Sequence, residues 1–120
     1  MSDDVIGLLD RVKEVDVETV SAKGTVHRVP IWVVVVDGAA YVASVNATKG
    51  RWYRELSARD GALVVEGRRV AVHAAPVADE ALRQRVSDAF GRKYRTSRAS
   101  LASMQRPEVL ATTLRLELLA

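Results

Sequence analysis

The chain has 120 residues and no cysteine, which suits one domain and excludes disulfide bridges, thiolate nucleophiles and thiolate metal sites. Its longest apolar run, Ile31 to Val36, is far below the ~20 residues that span a bilayer, and acidic Asp3 and Asp4 stand where a secretory signal carries positive charge, so a soluble cytoplasmic domain is expected. The formal net charge is only +3, and the basic segment from Arg83 to Arg98 is more typical of a solvated helix face than of a nucleic-acid surface.

The first half of the chain predicts one helix and three strands. Apolar residues from Asp3 to Val12 have helical spacing behind a capping Ser2 or Asp3. Alternating or β-branched stretches predict strands at Val15 to Ser21, His27 to Val36 and Ala40 to Val45, with turns at Lys23-Gly24 and Asp37-Gly38.

The strand from His27 to Val36 has two special features. Its end, Val33 to Val36, is apolar on both faces, so it should lie centrally in the sheet, covered on both sides or closed into a barrel. Pro30 cannot donate a ladder hydrogen bond and indicates an irregular start or a bulge.

The second half predicts a short helix, a hairpin, a long helix and a closing strand. A short helix is expected at Arg51 to Ala58, followed by strands at Ala62 to Glu66 and Arg69 to Val77 around a Gly67-Arg68 turn. The long helix runs from the N-cap Asp79 to Arg95. A connection at Thr96 to Pro107 then leads to a strand at Thr112 to Leu118. Hairpins with segregated helices favour an antiparallel α+β fold. Residues 1–120 are therefore expected to form a single domain of this class, with one long amphipathic helix and short flanking helices.

No nucleophile elbow, phosphate loop or dinucleotide fingerprint occurs in the chain. The two histidines, His27 and His73, have no second histidine or carboxylate at ligand spacing, so no metal site is expected and a polar-face strand position is favoured for both.

Two groups of polar residues flank the first hairpin. Lys23, Thr25 and Arg28 surround a turn in a pattern that suits an anion such as phosphate, although basic turns are common on any surface. Ser44, Lys49 and Arg51 follow the returning strand, and the hairpin would bring them near the first group.

Most of the aromatic residues also lie on or beside this hairpin. Trp32, Tyr41, Trp52 and Tyr53 have a composition suited to holding a flat ring, but a domain of this size also needs aromatic side chains in its core. Core packing is favoured for Trp52, whereas Trp32 fits the core and a ligand pocket equally.

Several of these stretches together resemble a known family. They are Arg28 to Trp32, Asp37-Gly38 with Tyr41-Val42, Trp52 to Arg54, Lys93-Tyr94 and Thr112 to Leu116. From about Val17 onward the chain resembles domain-of-unknown-function family 2255, which is similar to the flavin-binding split-barrel superfamily of pyridoxamine-phosphate-oxidase-like proteins and deazaflavin-dependent nitroreductases.

The resemblance implies a split β-barrel of about six mostly antiparallel strands and a homodimer with FMN or a deazaflavin in a groove between barrels. It implies that Arg28, Pro30 and Trp32 begin the cofactor-lining strand, and that Ser44, Lys49, Trp52 and Tyr53 complete the phosphate and ring contacts. Lys23-Gly24-Thr25 is shorter than the Gly-Arg-x-Ser-Gly turn of the deazaflavin relatives.

The leading functional hypothesis is therefore a flavin- or deazaflavin-linked oxidoreductase acting on a small aromatic or conjugated substrate. His27 and Tyr53 are the candidates for proton transfer. The alternative is a cofactor-free small-molecule-binding protein or biosynthetic enzyme that reuses the groove. Nucleic-acid binding through Arg83 to Arg98 is disfavoured because that segment lacks interleaved aromatic residues.

Overall fold

The computed structural model describes the backbone of residues 2–119 and the side chains of residues 4–119. In chain order the elements are α1 (Ser2–Arg11), β1 (Val15–Val20), β2 (Val26–Ile31), β3 (Val34–Val36), β4 (Ala39–Val42), a 3-10 turn (Ala47–Lys49), α2 (Arg51–Ala58), β5 (Gly61–Val65), β6 (Arg68–Pro76), α3 (Glu80–Lys93), α4 (Arg98–Met104), α5 (Pro107–Leu110) and β7 (Leu114–Leu118). The Ser2 and Asp3 side chains, expected to cap α1, lie outside the described residues.

The seven strands form one sheet in the order β2-β1-β5-β6-β7-β4-β3, and every neighbouring pair is antiparallel. Its edge strands, β2 and β3, are consecutive in the chain and are separated only by Trp32 and Val33. The sheet must therefore curl until its edges meet at that junction. This architecture is the expected α+β split barrel.

The predicted strand from His27 to Val36 is broken at this junction, which gives seven strands instead of about six. Val33 has its N–H and C=O bonded to the side chains of Tyr94 and Lys93 rather than to a neighbouring strand. The expectation that Val33 to Val36 lies centrally was wrong, because β3 is an edge strand. Both of its faces are nevertheless covered. Val35 packs against the hydrophobic cluster on one side of the sheet, whereas Val34 and Val36 belong to the cluster on the other side.

The β3–β4 and β5–β6 hairpins each close with two residues at positive φ. The Asp37-Gly38 turn is confirmed, with φ of 50° and 78°. The second turn is centred on Glu66-Gly67, with φ of 48° and 78°, one residue earlier than Gly67-Arg68. A glycine takes the second position in each turn because it adopts positive φ without strain.

Alternating strand residues build two cores, one on each face of the sheet. On the inner face α1 and α2 cover residues such as Val17, Leu63 and Leu114. On the outer face α3, α4 and α5 cover β3 and β4 around Phe90, which is 1% exposed. The long helix α3 begins as expected, with the Asp79 carboxylate accepting hydrogen bonds from two backbone amides.

The segment from Thr96 to Pro107, expected to be a long connection between α3 and the closing strand, is largely helical. It contains α4 and the first residue of α5. Leu101 and Met104 are spaced to pack together against the outer core, and Pro107 takes the first helical position of α5, where its missing amide hydrogen costs nothing. These contacts are to residues distant in sequence, so the local pattern alone did not show a helix.

Candidate functional site

A cavity of about 470 Å³ lies where the end of β2 meets the end of β4, at the split of the barrel. Its wall combines β2, the strand junction, the chain after β4, α2 and α4. The lining residues are Glu14, Val29, Pro30, Ile31, Trp32, Ala43, Val45, Asn46, Trp52, Ser100, Ser103 and Met104. This volume falls within the range of small-ligand pockets.

Two tryptophans dominate the cavity wall. Trp32 stacks on Tyr94 with ring centroids 3.8 Å apart and parallel planes, whereas Trp52 meets Tyr53 edge-on at 6.3 Å. Pro30 adds a further apolar surface. The structure therefore brings together Pro30, Trp32 and Trp52, three residues that the sequence nominated, in a site suited to a flat ring.

Ser44 lies between the lining residues Ala43 and Val45 and is fully buried. Its amide donates to the Thr112 Oγ1 at 2.9 Å, but within residues 4–119 its hydroxyl has no hydrogen-bond partner. Gly50 approaches so closely that a Cβ there would collide with this hydroxyl. A buried hydroxyl without a partner is costly, and the described residues do not supply a polar partner for this one.

The N-terminus of α2 begins beside this hydroxyl. Gly50 is the N-cap, and no side chain of the described residues caps the helix. The first amides of a helix have no intrahelical partner and attract anions, and the exposed Lys49 and Arg51 add positive charge here. Ser44, Gly50 and the first amides of α2 thus lie together at the start of this helix, beside the lining residues Asn46 and Trp52.

The first polar group predicted from the sequence is not part of this cavity. Lys23 and Thr25 lie in the β1–β2 turn, and Thr25 is five residues, or roughly 16 Å of extended chain, from Pro30. The Arg28 guanidinium pairs with Glu18 at 2.9 Å. Hydrogen bonds from Arg28 and then Arg69 hold the pKa of Glu18 below its usual value, against the effect of burial.

His27 has a carboxylate partner that sequence analysis did not identify. Its Nδ1 lies 3.0 Å from the Glu55 Oε1, which also accepts a 2.7 Å hydrogen bond from Thr19. Burial acts to raise the pKa of Glu55, but the bonds from Thr19 and His27 outweigh it and lower that pKa. An ionised Glu55 accepts a hydrogen bond from the tautomer that carries its hydrogen on Nδ1, and in that tautomer Nε2 is a hydrogen-bond acceptor.

His27 lies next to the cavity rather than in its wall, since Val29, two residues along the same strand face, is a lining residue. Tyr53 is half-buried on α2 beside Trp52. Glu55 is 28 positions from His27, and a spacing of this kind carries no local signal.

His73 is paired on the exposed surface with Asp60 at 2.7 Å, and this hydrogen bond is the main reason that the pKa of His73 is raised. The described residues contain no group of three or more His, Cys, Asp or Glu side chains placed to hold a metal ion. No helix among residues 2–119 is long and apolar enough to cross a membrane.

Comparison with known proteins gives one family match. The model of the family described as "Uncharacterized protein conserved in bacteria (DUF2255)" matches residues 6–116. No curated protein sequence matches the chain.

Three solved structures illustrate the fold. A putative pyridoxamine 5'-phosphate oxidase from Listeria innocua is 10% identical, with 98% of this chain and 91% of that chain covered and a TM-score of 0.66. The FAD binding protein from Mycobacterium smegmatis is 21% identical, with 98% and 88% covered and a TM-score of 0.58. The heme storage protein HutZ from Vibrio cholerae is 16% identical, with 96% and 86% covered and a TM-score of 0.65. At these identities the likeness shows a shared fold.

Proposed function

The chain belongs to the DUF2255 family, and we propose that it is a flavin- or deazaflavin-linked oxidoreductase acting on a small aromatic or conjugated molecule. The observation that carries this proposal is the Ser44 hydroxyl at the start of α2, beside a cavity lined by two tryptophans; among the side chains of residues 4–119 this hydroxyl has no partner and the helix has no cap. A phosphorylated ring cofactor needs both an anion site and an apolar slot. Solved proteins of this fold include one described as FAD binding.

In this proposal Ser44, Lys49 and the first amides of α2 hold the cofactor phosphate, while Pro30, Trp32 and Trp52 enclose its ring. The bound flavin or deazaflavin supplies hydride chemistry, and the protein supplies orientation and exclusion of water. Lys23, Thr25 and Arg28 would meet only a cofactor whose tail extends along β2, because they lie toward the other end of that strand.

Proton transfer is assigned to His27, with Glu55 as the residue that orients its ring. The carboxylate fixes the tautomer, so the free nitrogen can exchange a proton with a substrate at the β2 side of the cavity. Tyr53 is the second candidate, since its phenol lies on the helix that carries Trp52.

We also propose a cytoplasmic homodimer. The edge strand β2 presents Val26 at 58% exposure, and a second copy would cover this surface. A monomer by light scattering at tens of micromolar, on the order of a weak-interface dissociation constant, would refute the dimer.

The alternative is a cofactor-free protein that binds an aromatic metabolite in the same cavity. The position of Lys23 and Arg28 favours this alternative. The sequence suggested that these residues and the group after β4 would bind a phosphate together, but Lys23 and Arg28 do not line the cavity, and Arg28 pairs with Glu18. The two functions differ in their need for a phosphorylated cofactor.

Titration of the purified protein with FMN, FAD and a phosphorylated deazaflavin, followed by quenching of tryptophan fluorescence, tests the proposal. We expect saturable binding of at least one of them, and Trp32→Ala should weaken that binding through loss of stacking worth about 1 kcal/mol beyond the lost area. Absence of saturable binding for all three would exclude the redox proposal and favour the cofactor-free alternative.

A further inference from the structure

The break between β2 and β3 leaves backbone groups that no strand can pair, and the end of α3 satisfies them. The Tyr94 hydroxyl accepts the Val33 N–H at 3.2 Å and donates to the Lys13 C=O at 2.6 Å. The Lys93 ammonium donates to the Val33 C=O at 2.6 Å and to the Leu9 C=O, near the end of α1, at 2.9 Å. Two adjacent side chains thus join the strand junction to the segment after α1.

Tyr94 also supports the ring that precedes Val33. Its phenol is parallel to the Trp32 indole at 3.8 Å, and Phe90 packs against both rings at 6.4 Å and 6.1 Å. Tyr94 is 2% exposed and Phe90 1%, so the stack rests on the outer core. Its position is therefore set by α3 rather than by the strand junction itself.

One group that Tyr94 holds lies in the cavity wall, and the other is adjacent to it in the chain. Trp32 is a lining residue, whereas Lys13 is not a lining residue but directly precedes one, Glu14. Tyr94 itself does not line the cavity. One buried phenol thus fixes two wall segments that are far apart in sequence.

We propose that Tyr94 is a positioning residue that presents Trp32 and the Lys13-Glu14 segment to the ligand, so that the cavity is already shaped for a planar ring before binding. This inference rests on the proposed function, because it treats the cavity as the site of the cofactor ring. A cavity that is already shaped before binding loses little side-chain or backbone conformational freedom when the ligand binds.

The test uses Tyr94→Phe, which keeps the ring and removes the hydroxyl, and Tyr94→Leu, which removes both. Tyr41→Phe is the matched control, since Tyr41 lies in the same outer core and its hydroxyl makes no hydrogen bond within residues 4–119. The ligand-free readouts are hydrogen exchange of the Val33 amide and acrylamide quenching of Trp32 in a Trp52→Phe background, where Trp32 is the remaining tryptophan.

Without ligand, Tyr94→Phe should speed exchange of the Val33 amide about five- to tenfold, the loss expected for one hydrogen bond, and leave Trp32 quenching near that of wild type. Tyr94→Leu should also make Trp32 more accessible to acrylamide. Tyr41→Phe should change neither readout. An unchanged Val33 amide in Tyr94→Phe, or unchanged Trp32 quenching in a folded Tyr94→Leu, would overturn the positioning role.

With ligand, the FMN dissociation constant should rise about fivefold in Tyr94→Phe and more in Tyr94→Leu, but stay unchanged in Tyr41→Phe. Changes in the ligand-free readouts with equal FMN affinity in all folded variants would overturn the link between Tyr94 and the site. If wild type binds none of FMN, FAD and the phosphorylated deazaflavin, the proposed function fails, and the link to a cofactor ring fails with it. The ligand-free readouts still decide whether Tyr94 positions Trp32.

Discussion

At the scale of single residues, Glu55 gains a role that depends wholly on the fold. It accepts hydrogen bonds from Thr19 on β1 and His27 on β2, and so joins α2 to the β1–β2 pair. Because these bonds lower its pKa in the folded protein, the ionised form contributes stability above the usual carboxyl pKa, and this contribution disappears as the pH falls through the lowered value.

Glu55→Gln should therefore flatten the acid limb of the stability curve and cost about 1 kcal/mol at neutral pH, because the amide still accepts both bonds without charge. Urea unfolding from pH 3 to pH 7 measures this. Glu66→Gln, at an exposed turn position, is the control and should follow wild type. Parallel curves for wild type and Glu55→Gln would contradict the role given to Glu55.

At the scale of elements, the long helix α3 connects core and site. Phe90 is buried against Trp32 and Tyr94, so Phe90→Ala should destabilise the protein by ~3–5 kcal/mol through loss of a large buried ring. Leu82→Ala, at a half-buried position of the same helix, should cost less. Thermal unfolding tests the pair, and a Phe90→Ala protein melting within about two degrees of wild type would show that the ring is not a core residue.

Elements with local signals could be predicted from the sequence, and those that depend on distant partners could not. The Asp37-Gly38 turn and the helix capped by Asp79 each carry their own turn or capping chemistry. The break at Val33 depends on Tyr94, 61 residues away, and α4 depends on the outer core. The same limit explains why Glu55 was missed, since its partner His27 lies 28 positions away in the chain.

At the scale of the whole molecule, the site exists because the sheet curls until β2 and β3 meet. That closure brings the end of β4, with Ser44, next to the strand junction and the start of α2. Each part alone is ordinary: a buried serine, a helix N-terminus and two tryptophans. Their convergence at one split is the basis for the proposal that the site takes a phosphorylated ring ligand.

The Ser44 hydroxyl is the most specific part of this account, because its lack of a partner within residues 4–119 has a cost that a ligand phosphate would remove. Ser44→Ala deletes that unpaired group, so the ligand-free variant should melt at or above the temperature of wild type. A stabilised protein with a weakened site is the expected signature of a group retained for binding.

The most direct measurement compares FMN with riboflavin, which lacks the phosphate, on wild type, Ser44→Ala and the control Ser57→Ala at an exposed position of α2. Ser44→Ala should weaken FMN binding about tenfold to a hundredfold, the value of a hydrogen bond to a charged group, while riboflavin binding changes by less than about twofold. Ser57→Ala should match wild type for both. Equal FMN affinity in Ser44→Ala and wild type would contradict the anion site at the start of α2.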